Sequence, residues 1–114
     1  MNDQPEFRAW NNIDKVMVGW DYFEKCPEEF VGQPEELEIM QYTGKKDANG
    51  TKIFASDIIE YFGIRKIVGW NNELSMWGLK RSIDGKFHEQ FATVDLEKSV
   101  VIGNTFQNSK LLEQ

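Results

Sequence analysis

Ile58-Ile59-Glu60-Tyr61-Phe62-Gly63-Ile64-Arg65-Lys66-Ile67-Val68-Gly69-Trp70 is the stretch on which the class of fold turns. Its first five residues are β-branched, acidic or aromatic and end at Gly63, the pattern of a short strand. From Ile64 the side chains alternate, Ile64, Val68 and Trp70 on one face and Arg65 and Ile67 on the other. Lys66 interrupts that alternation and predicts a strand with one wet edge. Working outward, Asn71-Asn72 is a turn pair that tolerates φ > 0, after which Leu74-Ser75-Met76-Trp77-Gly78-Leu79 resumes as strand. Asp84-Gly85 predicts a hairpin turn between strands at 79–83 and 87–93, and Val100-Val101-Ile102-Gly103-Asn104-Thr105-Phe106 closes the series. Five short strands, the second and third close-coupled through Gly63, predict a small SH3-like barrel over residues 53–106 in a mostly β chain (β-rich α+β).

Upstream, Phe7-Arg8-Ala9-Trp10 and Lys15-Val16-Met17-Val18-Gly19-Trp20 flank Asn11-Asn12 and predict an N-terminal hairpin. Ile39-Met40-Gln41-Tyr42-Thr43-Gly44 and Thr51-Lys52-Ile53-Phe54 flank Asp47-Ala48-Asn49-Gly50. Asn-Gly between apolar runs is among the strongest hairpin signals, since a type I′ turn needs φ > 0 at both central residues. Helical signals are short: Pro34-Glu35-Glu36-Leu37 opens like a first turn, and Asn108-Ser109-Lys110-Leu111-Leu112 like a capped last one. Residues 21–36 carry five glutamates with Pro27, Gly32 and Pro34, which predicts an acidic loop over one end of the barrel. A single domain over 1–114 is expected, an acidic hairpin and loop region at 1–38 followed by a barrel-like region at 39–114.

Composition narrows the classes. Of 114 residues, 52 are apolar when glycine is counted and tyrosine left out, which is ordinary for a globular chain and too many for wholesale disorder. No apolar run approaches the roughly 18 residues of a membrane helix, and the first residues lack a basic and apolar leader. A soluble protein, off the membrane, is therefore expected. One cysteine, Cys26, permits no internal disulfide, and with one histidine there is no Cys/His zinc site. The net charge of −6 is uneven. Residues 1–38 hold three basic and ten acidic residues, while residues 39–114 hold ten and nine. An acidic chain repels phosphate backbones at long range, yet residues 65–88 hold five cations against two acids.

At residues 40–59 the chain reads Met40-Gln41-Tyr42-Thr43-Gly44-Lys45-Lys46-Asp47-Ala48-Asn49-Gly50-Thr51-Lys52-Ile53-Phe54-Ala55-Ser56-Asp57-Ile58-Ile59. This resembles the signature of the YopX family of bacteriophage and prophage proteins, roughly QYTG-x-x-D-x-NG-x-x-I-Y/F-x-x-D-I. Phe7-Arg8-Ala9-Trp10 is similar to that family's N-terminal F-R-A-W. Val101-Ile102-Gly103-Asn104, with Phe106, Asn108 and Leu111-Leu112, is similar to its C-terminal motif. The three motifs stand in family order from residue 7 to 112. The resemblance implies a phage or prophage protein in the cytoplasm of its host, acting by binding, and carries over no catalytic residue. Where the family often has Glu-Gly this chain has Ala55-Ser56, which makes a φ > 0 turn costlier and predicts a local change of backbone.

Candidate sites stand beside simpler structural readings. Asp47-Ala48-Asn49-Gly50 has the look of a calcium loop, but Lys45 and Ser56 would occupy the two outer positions that need Asp and Glu, so a hairpin turn is expected. Asp57 and Asn104 are expected to bond local backbone, Gly44 and Gly103 to permit tight turns, and Tyr42 to be structural too. With Phe7, Arg8, Trp10, Gln41, Thr43, Asp47, Asn49 and Gly50 they form the expected structural motif. Cys26 and His88 could pair as thiol and imidazole, but no third group orients them and nothing in their spacing requires a pair. Glu28-Glu29 and Glu35-Glu36 make no acid–base dyad, because adjacent residues of an extended segment point apart. No nucleophile, metal cluster, cofactor motif or phosphate loop is visible, so an enzyme is not expected.

The expected function is protein binding or homo-oligomeric self-assembly, since fifteen aromatics exceed what so small a core hides. The alternative is weak single-stranded nucleic-acid binding by Arg65, Lys66, Trp70, Trp77, Lys80, Arg81, Lys86 and Phe87, with cations following phosphates and rings stacking bases. The simpler reading of Trp70 and Trp77 is core.

Overall fold

The structure, a computed structural model, describes residues 6–27, 35–81, 85–87, 89–90 and 98–112. The chain is mostly β, with two antiparallel sheets of which one is a half-barrel, in keeping with the barrel-like class expected. It divides into two compact units between Tyr42 and Thr43.

In the first unit β1 (Phe7–Asn11) pairs antiparallel with β2 (Val16–Val18), the N-terminal hairpin anticipated above. Asn11 closes β1, and its side-chain oxygen accepts the N–H groups of Ile13 and Asp14, both at 2.9 Å. The positive φ falls on Lys15, not on the Asn pair. β3 (Leu37–Lys46) lies on the other side of β1 and sets Phe7 opposite Gln41, Arg8 opposite Met40 and Trp10 opposite Glu38. Leu37 therefore starts a strand, correcting the helical reading of 34–37. The expected loop at 21–36 is corrected as well: Trp20–Lys25 is a helix, α1. Six residues hold no helix by propensity alone. Phe23 is buried and its ring meets those of Trp20 and Tyr22, while Trp20 also meets Phe7. Residues 28–34 lie outside the described residues.

In the second unit the far end of β3 is followed by β4 (Lys52–Phe54), with Thr43 Oγ1 donating to the Ile53 carbonyl at 2.7 Å. The remaining strands are β5 (Asp57–Tyr61), β6 (Ile64–Asn71), β7 (Met76–Lys80), β8 (Glu89–Gln90) and β9 (Ser99–Asn104), in the order β8-β7-β6-β5-β9. This is a meander whose free edge takes back the last strand. A 3-10 turn at Ser109–Leu112 stands where a last helical turn is expected. Two sequence boundaries shift. Phe62 leaves the strand for the β5–β6 turn, and 74–75 belong to the turn before β7, which ends at Lys80. Of the Asp84-Gly85 turn, residues 82–84 lie outside the described residues, as do 91–97.

Alternation and register place Ile59, Tyr61, Lys66, Val68, Trp70, Trp77, Leu79 and Val101 on one face of this sheet. Ile59, Val68 and Leu79 of this face form a buried cluster with Ile53 of β4, with Tyr61, Trp77 and Val101 packed around them. Lys66 corrects the expected wet edge: it is buried, its amine 5.8 Å from the centre of the Tyr61 ring. The stem fills core space while the charge rests on a π face.

Candidate functional site

Two turns of the second unit are built on opposite terms. At Asp47–Gly50 the chain reverses with the Asp47 N–H donating to the Thr51 carbonyl and the Gly50 N–H to the Asp47 carbonyl. Gly50 has φ +79, while Asn49 keeps a negative φ, so the type I′ expectation is corrected. The organising group is the Asp47 carboxylate. One oxygen accepts the N–H of Asn49 and of Thr51 at 2.9 and 2.8 Å, the other that of Val101 at 2.8 Å. Burial pushes this carboxyl up, but the donors from Val101, Thr51 and Asn49 outweigh burial and hold it below its ordinary value. The carboxylate thus ties the β3–β4 turn to β9 fifty-four residues on. Among the described residues no group of three or more His, Cys, Asp or Glu is placed to hold a metal.

Neighbouring motif residues are equally local. Asp57 is buried and accepts the Phe54 N–H at 2.7 Å. Ser56 takes φ +71, the conformation that a glycine would adopt freely, so the predicted change of backbone is absent. Its amide donates to the Val68 carbonyl and its carbonyl accepts from Thr105, which offsets the strain. Asn104 accepts from the amides of Phe106 and Gln107 and donates to the Gln107 side chain. Gly103 lies inside β9, not in a turn; a Cβ there would stand 2.5 Å from Asn108 Oδ1, whose atom accepts the Asn104 N–H. Gly44 has φ +88 within β3.

The other turn joins β5 to β6 through Phe62 and Gly63, both with positive φ (+52 and +77) between the paired residues Tyr61 and Ile64. That is a two-residue hairpin loop of the primed kind, for which Asn is the favoured first residue. A bulky aromatic in the left-handed region costs roughly 1–2 kcal/mol. Phe62 gains little shelter in return: 70% of it is exposed, with an edge contact to Tyr61 at 4.5 Å and the Lys98 amine 5.7 Å from its ring. Beside this tip lies a cleft of about 230 Å³ lined by Gly63, Ile64, Arg65, Arg81, Leu111 and Leu112. The Arg65 guanidinium donates to the Leu111 carbonyl at 2.9 Å and stands 3.5 Å from Glu60, which fixes it at the cleft wall. Arg81 has no hydrogen-bond or ionic partner among the described residues. Arginines beside two leucines and an isoleucine suit an aliphatic group that carries a carboxylate.

The basic and aromatic residues of 65–88 are not brought together on one surface. Lys66, Trp70 and Trp77 share the core face, the two indoles edge to face at 5.3 Å and Trp70 48% exposed. Arg65 and Lys80 belong to the opposite face, where the Phe87 ring lies over Gly69 and the Lys80 amine stands 5.4 Å from that ring. Lys86 is exposed between β7 and β8. Side chains alternate along a strand, so a stretch rich in both types divides them. Cys26, half-buried, closes α1; His88 lies outside the described residues. Phe62, Leu111 and Leu112 were missed as a site by sequence reasoning. The available signal was a bulky residue before Gly in a two-residue loop.

No helix among the described residues is long and apolar enough to cross a membrane. None of the curated proteins compared with this chain matches it. Among solved structures it is similar to protein EF1440 from Enterococcus faecalis, with 25% identity, a TM-score of 0.66, and coverage of 96% of this chain and 99% of that one. The family model described as YopX protein matches residues 20–113, which takes in the central and C-terminal motifs and leaves Phe7-Arg8-Ala9-Trp10 outside the match. A match over that much of the chain is membership: this protein belongs to the YopX family.

Proposed function

We propose that this chain is a non-enzymatic, self-associating protein-binding module that makes contact through the β5–β6 hairpin tip. The observation that carries this reading is Phe62, a large apolar side chain both exposed and held in a left-handed conformation that Asn or Gly would occupy more cheaply. A residue that breaks a local rule without burying itself is best accounted for by a contact outside its own chain. The adjoining cleft supports the same reading. At about 230 Å³ it is smaller than the roughly 300–1,000 Å³ of small-molecule sites and matches the size of one or two side chains. A bacterial cytoplasmic setting and a phage or prophage origin belong to this proposal.

Solution mass by light scattering, at low and high salt and with or without a single-stranded oligonucleotide, tests it. The expected result is a concentration-dependent multimer that ignores the oligonucleotide and is lost in Phe62→Asn. A monomer that gains mass only with the oligonucleotide, at low salt, overturns it in favour of nucleic-acid binding by the cations of 65–88.

A further inference from the structure

The cleft beside the β5–β6 tip asks for an aliphatic group next to a carboxylate, and this chain displays that pair elsewhere. Ile13 is the most exposed large hydrophobic among the described residues, at 74%, and stands at the β1–β2 hairpin tip. Asp14 follows it, exposed, with a carboxylate that has no partner among the described residues. The tip is stiff: the Asn11 side chain holds the amides of Ile13 and Asp14, and the Lys15 amide donates to the Asn11 carbonyl at 2.8 Å. The two features also belong to regions of opposite balance, the acidic first third of the chain and the slightly basic remainder.

We propose that the Arg65–Arg81 cleft receives the β1–β2 tip of a second copy of this chain. Ile13 enters against Ile64, Leu111 and Leu112, and the Asp14 carboxylate meets the free donors of Arg81 and Arg65. Arg65 spends two of its five N–H donors on Leu111 and Glu60, and the rest have no partner among the described residues. This inference rests on the self-association reading and specifies its geometry. Tip into cleft is a heterologous contact, different patches on the two copies, so each chain offers one of each and the assembly grows head to tail into a ring or filament. One tip in one cleft buries less than a standard interface, so the contact is weak and concentration-dependent. Its charged half makes it weaken with added salt.

The test uses two full-length variants and sedimentation from micromolar to millimolar concentration. Ile13→Ser with Asp14→Asn removes the tip; Arg81→Gln removes the guanidinium with no partner. Both change exposed residues, and melting curves matching wild type establish that each is folded. Each variant alone is expected to associate at least about tenfold more weakly than wild type. Mixed in equal amounts they are expected to form one-to-one complexes that stop at two chains, since only one tip and one cleft remain. Wild-type-like assembly by either variant alone, or no complex on mixing, overturns the inference. If assembly persists in both variants but is lost in Phe62→Asn, the self-association reading stands and this geometry falls. If wild type is a monomer throughout, both fall.

Discussion

The Asp47–Gly50 turn and the Phe62–Gly63 turn sit in the same unit and end in glycines of almost the same φ, +79 and +77. They differ in what precedes the glycine. At the first, a buried carboxylate accepts three backbone N–H groups, so the turn serves the fold to which it belongs. At the second, a phenyl ring occupies the place that suits Asn and stands mostly in solvent. Where local chemistry and local geometry agree, stability is the sufficient account of a residue. Where they disagree, the reason lies beyond the hairpin.

The comparison breaks first at Asp47. Asp47→Ala leaves three amides without their acceptor, and at roughly 1 kcal/mol for each bond the expected loss is about 3 kcal/mol, read by denaturant unfolding. Asp47→Asn presents an NH₂ to one of those donors and is expected to cost about 2 kcal/mol. Acid titration sharpens this result. The Asp47 carboxyl is held below its ordinary value in the folded chain, so the unfolded chain binds its proton first as the pH falls. Its stabilising contribution is complete above about 3.9, the ordinary value, and fades as the pH drops toward the lower folded value. Stability of the Asn variant should change less with pH across that acid window than stability of wild type.

Alanine at Gly50 and at Gly63 provides the control. No atom lies within 4 Å of a Cβ built at either position, so only the φ penalty remains. Each substitution should cost about 1 kcal/mol, and the two costs should agree. Unequal costs would mean that the turns differ in their glycines and not in what precedes them. Phe62→Asn should go the other way, raising unfolding stability by about 1 kcal/mol while weakening self-association. A loss of stability there would make Phe62 a residue of its own fold. Ser56→Gly is expected to have the smallest effect, a gain of about 0.5 kcal/mol, because relief of φ is set against the greater freedom of glycine in the unfolded chain.

Sequence reasoning reached most of the strands because their signals are local. Alternation over 64–70, the Asn-Gly at 49–50 and the Asn pairs at 11–12 and 71–72 each report on a few adjacent residues. At both Asn pairs the chain turns as expected, and the positive φ falls after the pair for one reason. Asn11 and Asn71 spend their side chains capping the amides two and three residues on, and the left-handed residue comes at the end of each turn, Lys15 and Ser75. Sequence reasoning missed α1 because six residues with three aromatics and two acids show no helical stripe; Phe23 earns its helix by what it packs against.

By itself, then, the sequence determined the β-rich class, the places where the chain turns, and the family motifs, all consequences of pattern and of backbone preferences that act over a few residues. Tertiary structure alone decided that Lys66 is inside, that the cations and aromatics of 65–88 fall on two faces, and that Arg65 and Arg81 meet Leu111 and Leu112. Those outcomes depend on strand register and on segments some forty-six residues apart, as in the Arg65–Leu111 bond. No local pattern carries information about a neighbour that only folding brings near.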